Sequence, residues 1–197
     1  MTETNPISEA KKYFNLNLRK GKLLELKDIQ FTLDSDSEDS PLYYELLKKW
    51  YLTITTLTFI PKELKQVEEI FIHSASNIII KTAKDKTPFE SDLTREDLDT
   101  ICEILVHKNN LSWNYQNPFV SFHTKIHGHD VRVSMIHFST GPNHISKLFI
   151  RVLKNDTIPI SKYRGDEGFY RELIKSKRNV LIAGSTGSGK TTDLPLI

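Results

Sequence analysis

The stretch Val120-Ser121-Phe122-His123-Thr124-Lys125-Ile126-His127-Gly128-His129-Asp130-Val131-Arg132-Val133-Ser134-Met135 alternates side-chain character on both sides of a glycine-containing turn. Val120, Phe122, Thr124 and Ile126 fall on one face, as do Val131, Val133 and Met135 beyond the His127–Asp130 turn. A period of two is the signature of strands with one buried face, so this stretch predicts a β-hairpin. Downstream, Leu148, Ile150 and Val152 give one more strand with the same period. Upstream, Val67, Ile70 and Ile72 lead through Ser74-Ala75-Ser76-Asn77 to Ile78-Ile79-Ile80, a second hairpin. Between the hairpins the period changes. Thr94 with Asp97 three residues on forms a near-capping-box, and Leu98, Ile101, Cys102 and Leu105 mark one buried helical stripe. Strands and helix in this order predict an α+β domain with a mostly antiparallel sheet.

Toward the N-terminus, residues 1–40 are polar and are expected to form a partly flexible segment outside the domain. Asp34-Ser35-Asp36-Ser37-Glu38-Asp39 is an acidic, Ser-rich run of the kind that supports no packing. Ser40-Pro41 reads as a helix start, and Tyr43, Leu46, Leu47 and Trp50 follow on one helical face. Leu52–Ile60 is rich in β-branched residues and fits either the end of that helix or a strand. The α+β domain is therefore expected over 41–153.

The 197 residues carry a formal net charge of +2, which offers no global basic field for nucleic acid. The single cysteine excludes an intrachain disulfide and fits a reducing compartment. No apolar run reaches the ~20 residues of a membrane span, and no signal peptide opens the chain, so a cytoplasmic protein is expected.

Residues 154–165, with Asn155, Asp156, Pro159 and Gly165, read as an interdomain linker. A second, truncated domain is expected over 166–197. Phe169, Tyr170, Leu173 and Ile174 suggest a short helix, and Asn179–Ala183 is a continuous apolar run suited to a strand buried on both faces. Gly184-Ser185-Thr186-Gly187-Ser188-Gly189-Lys190-Thr191 follows directly and matches a phosphate-binding P-loop. Glycines at 184, 187 and 189 let successive backbone N–H groups point at a phosphate, Lys190 supplies a cation for the β- and γ-phosphates, and the Thr191 hydroxyl suits Mg²⁺.

From Arg178 to Thr192 the sequence resembles the Walker A region of the type II and type IV secretion-system and pilus-assembly ATPases, in the Arg-Asn-Val-Leu lead-in as well as the Thr-Gly-Ser-Gly core. Val67–His73, Pro118–Met135 with its Arg132-Val133 pair, and Ser146–Arg151 resemble successive strands of that family's N-terminal domain. The resemblance spans about residues 60–192. It implies a PAS-like N-terminal domain followed by a RecA-like domain, with ATP and Mg²⁺ bound between them. It further implies a hexamer at the cytoplasmic face of the membrane, working with inner-membrane secretion or pilus components. Arg132 and Arg151 match the family's phosphate-contacting arginines, and Thr192 extends the nucleotide-binding set 184–191. Alternation turns both arginines away from the apolar faces of their strands. Solvated strand arginines would show the same placement.

Only Thr192–Ile197 follow Thr191, and Pro195 falls where the phosphate-binding helix would run. The acidic and histidine boxes of the family are absent, so a truncated product with little hydrolysis of its own is expected. The alternative reading is a non-catalytic module that docks to the secretion machine and keeps a vestigial P-loop. His123, His127 and His129 cluster near the hairpin turn, consistent with a metal site or with a polar turn.

Overall fold

The computed structural model describes residues 5–33, 40–141, 143–153, 167–177, 179, 181 and 183–185. Two compact units divide between Leu153 and Lys154.

The first unit is α+β. Helices α1 (Pro6–Arg19), α2 (Leu26–Ile29), α3 (Ser40–Thr56) and α4 (Arg95–Lys108) accompany strands β1 (Val67–Ser74), β2 (Asn77–Thr82), β3 (Lys86–Phe89), β4 (Phe119–Ile126), β5 (His129–Ile136) and β6 (Lys147–Val152). The strands form one antiparallel sheet in the order β3-β2-β1-β6-β5-β4. Buried side chains from both hairpins, from β6 and from all four helices make a single apolar core.

The segment expected to be polar and flexible enters that core. Asn5 caps α1 by accepting the Ile7 N–H at 3.0 Å, and Pro6 occupies the first turn, where its missing N–H costs nothing. Ala10, Phe14 and Leu18 then recur at i, i+4 and i+8 and are buried, with Leu24, Ile29 and Leu33 behind them. Phe14 meets Trp50 and Tyr51 edge-on, at centroid distances of 5.5 and 6.0 Å. The polar and charged residues interleaved with these positions mask the stripe in the mean composition. The acidic run 34–39 and the linker 154–165 lie outside the described residues.

The ambiguous stretch 52–60 resolves as helix up to Thr56. Leu47, Trp50 and Ile54 are buried along α3, Tyr43 is half-buried, and Leu46 is exposed. The hydroxyls of Thr53, Thr55 and Thr56 each donate to the carbonyl four residues back, which lets β-branched residues close the last turns. Leu57, at φ 56°, ends the helix.

Helix α4 starts as its sequence predicts. Thr94 accepts the Asp97 N–H, while the Asp97 carboxylate accepts both the Thr94 N–H and its hydroxyl, a full capping box. The second hairpin is tighter than expected. Ile126 pairs with His129, so only His127 and Gly128 form the turn, at φ 49° and 82°. Positive φ at both central residues is the primed turn whose twist matches the strands, and glycine takes it without a Cβ penalty. Strand β3 carries no alternation and contains Pro88; it lies at a sheet edge, where a missing N–H is tolerated.

In the second unit, α5 (Glu167–Lys175) occupies the position of the expected short helix. At the described positions 179, 181 and 183 the expected strand is not formed, and Leu181 is 92% exposed. A strand needs neighbours to pair its N–H and C=O groups and to cover its apolar faces.

Candidate phosphate-binding surface

The sheet packs one face on the helices and leaves the other without a buried residue at the positions that concern the candidate site. Val131, Val133, Ile150 and Val152 point into the core, so alternation turns Arg132 and Arg151 to the open face, where both are exposed. Register adds what alternation cannot give: Arg132 and Arg151 are direct partners across β5 and β6. Opposed positions on one face hold their Cβ atoms about 4.5–5.5 Å apart, and like charges set there repel.

Neither guanidinium is neutralised by an ion pair among the described residues. Arg132 donates from Nε to the Ser121 Oγ at 3.1 Å, and Ser121 in turn lies 3.0 Å from the Ser134 hydroxyl. That bond fixes the Arg132 stem and leaves its terminal nitrogens outside any hydrogen bond described within the sheet. Glu69 is the partner of Arg151 on the other side, across β1 and β6, but its carboxylate bonds Lys81 at 3.0 Å. Beside the arginines, Phe71, His73 and Phe149 form an aromatic cluster, with Phe71 and Phe149 edge-to-face at 6.1 Å and His73 and Phe149 at 5.7 Å.

Glu69, Phe71, Arg132, Ser134, Phe149 and Arg151 line a concavity of about 190 Å³. Pockets that enclose a ligand run to about 300–1,000 Å³, so this surface can supply one wall of a site. Two guanidiniums outside any described ion pair, with the Glu69 carboxylate taken by Lys81, hydroxyls beside them and an aromatic patch suit an anion with several oxygens.

Of the P-loop, Gly184 and Ser185 are described, and both are exposed and outside helix or strand. Thr186, Gly187, Ser188, Gly189, Lys190, Thr191 and Thr192 lie outside the described residues, as does the tail from Asp193. The histidines do not gather. His127 bonds the Leu57 carbonyl through Nε2 at 3.1 Å, and His123 pairs with Arg132 on the open face. Among the described residues no group of three His, Cys, Asp or Glu side chains is placed to hold a metal, and no helix is long and apolar enough to cross a membrane.

Sequence reasoning singled out both arginines but not Ser121, Ser134 or the Lys81–Glu69 pair, because only strand register brings these beside them.

Among solved structures the chain is similar to the VirB11 ATPase of the Brucella suis type IV secretion system, solved with sulphate. Identity is 15%, coverage 73% of this chain and 50% of that one, and the TM-score 0.45. It is also similar to the Legionella pneumophila ATPase DotB, at 15% identity, 76% and 40% coverage and a TM-score of 0.46. The chain thus spans half or less of the length of either ATPase. No protein-family model matches it, and no curated relative was found.

Proposed function

We propose that this chain is the N-terminal part of a secretion or pilus traffic ATPase, and that Arg132 and Arg151 contact the phosphates of ATP in the assembled enzyme. The observation that carries the reading is the arginine pair. Two like charges on opposed residues destabilise a sheet, and among the described residues neither forms an ion pair, the neighbouring Glu69 being bonded to Lys81. A polyphosphate would supply the missing negative charge and accept from both guanidiniums.

The P-loop Gly184–Thr191 is assigned to the same nucleotide from its sequence, with Lys190 at the β- and γ-phosphates and Thr191 at Mg²⁺. Bound Mg²⁺ would neutralise charge on the phosphate oxygens. The resemblance of residues 60–192 further supports a hexamer that works with secretion or pilus components at the cytoplasmic face of the membrane.

The test is ATP binding by the full-length enzyme. A charge-assisted hydrogen bond contributes roughly 1.5–3 kcal/mol, so Arg132→Ala or Arg151→Ala is expected to weaken ATP about 10- to 100-fold. Titration with a fluorescent ATP analogue reads this directly. Unchanged affinity in both variants would make them solvated strand residues.

A further inference from the structure

We propose that Lys81 is a positioning residue that keeps Arg151 open to an anion by holding Glu69 away from it. This rests on reading the arginine pair as a phosphate-binding surface.

The strand register sets Lys81, Glu69, Arg151 and Arg132 in one row across β2, β1, β6 and β5. Glu69 is the direct partner of both Lys81 and Arg151, so its carboxylate stands between two cations. It goes to Lys81, with Oε2 3.0 Å from Nζ. Lys81 also lies 3.3 Å from Glu68. Consecutive strand residues normally point to opposite faces. The register shift between Val67 and Glu69 lets both carboxylates reach the same lysine.

The two glutamate contacts, with Glu69 first, hold the Lys81 ammonium above its ordinary range, so it stays a cation throughout the neutral range. All three side chains are partly exposed, so each ion pair is weak. What matters is the direction in which Glu69 is drawn. Without Lys81, the remaining cation beside Glu69 in the row is Arg151, and a Glu69–Arg151 pair would compete with phosphate oxygens for the same guanidinium.

The experiment follows the arginine Nε–Hε signals of the full chain by NMR while inorganic tripolyphosphate is added. In the wild type both Arg132 and Arg151 signals are expected to shift and saturate. Lys81→Met is expected to weaken that binding about two- to fivefold, the scale of one exposed ion pair. Lys81→Arg keeps wild-type affinity, and the double variant Lys81→Met/Glu69→Gln recovers it, which a fold defect would not allow. Wild-type affinity in Lys81→Met overturns the proposal and leaves the phosphate surface standing, and so does a double variant as weak as the single one. Wild-type arginine signals that never move overturn the phosphate surface and this proposal together.

Discussion

Asp97 ties three parts of the first unit together, and its removal can be worked out contact by contact. Its Oδ1 accepts the Trp50 indole N–H at 2.6 Å and lies 3.4 Å from Lys11 Nζ, while Oδ2 accepts the Thr94 N–H at 3.0 Å and the Thr94 hydroxyl at 2.8 Å. The side chain is 8% exposed. Asp97→Ala removes the carboxylate half of the capping box, at about 1 kcal/mol, and leaves the Thr94 cap on the residue-97 N–H. It also strands a buried indole N–H, at about 1–3 kcal/mol. A loss of about 2–4 kcal/mol is expected, which lowers Tm by roughly 4–16 °C at about 2–4 °C per kcal/mol. Asp97→Asn keeps one oxygen and gives up the other, so its loss should be smaller.

Burial alone would raise the Asp97 carboxyl. The Thr94 N–H and hydroxyl, the Trp50 indole and the Lys11 ammonium outweigh it and hold the group below its ordinary 3.8. A depressed carboxyl stabilises the fold fully above its unfolded value, and the contribution is lost as pH falls through the folded one. The gap between wild type and Asp97→Asn should therefore be constant at neutral pH and shrink below about pH 4. Urea unfolding followed by far-UV circular dichroism measures both effects, with Trp50→Phe and the double variant completing a cycle. A loss under about 0.5 kcal/mol for Asp97→Ala, or strict additivity with Trp50→Phe, would refute the reasoning.

Two further tests concern the same unit. Phe14→Ala empties a fully buried site against Trp50 and Tyr51 and should cost about 3–5 kcal/mol in urea unfolding; a surface-like loss below 1 kcal/mol would detach α1 from the core. His137 is held low by burial, with Asp99 pulling the other way, and its Nδ1 accepts the Ser139 N–H at 3.3 Å. A depressed imidazole costs nothing above its unfolded value near 6.5 and drains stability as pH falls below it, so His137→Asn should flatten the urea midpoint between about pH 7 and 5. Parallel pH curves for the two proteins would contradict this.

What the sequence made legible was what local period encodes. Val131/Val133 against Arg132, and Ile150/Val152 against Arg151, assign faces by alternation alone, and Thr94 with Asp97 announces its helix by spacing. Contacts that depend on distant residues stayed hidden. Phe14 lies in a stretch read as polar, and its place in the core rests on Trp50 and Tyr51, more than thirty residues away. Lys86-Thr87-Pro88-Phe89 lacks any strand signal, and β2 recruits it as an edge. His127 beside His129 fitted either a metal site or a polar turn, and its ring bonds the Leu57 carbonyl just beyond α3. Arg132 and Arg151 were each visible as outward-facing, but their opposition is a property of pairing that no single strand contains.

The strand order has a consequence for how the charged row comes into being. Five pairings build the sheet, and four of them join neighbours in sequence, giving one three-stranded meander over β1, β2 and β3 and another over β4, β5 and β6. Hairpins of this kind close short loops and form in about 1–10 μs. The β1–β6 seam must instead bring together the first and last strands of the sheet across the long connection through α4, and loop-closure entropy makes such a contact late. Lys81 and Glu69 arrive with one meander, Arg132 and Arg151 with the other. Neither half holds the row alone: the arginine pair forms with its own meander, and Lys81 and Glu69 come beside it only when the β1–β6 seam closes.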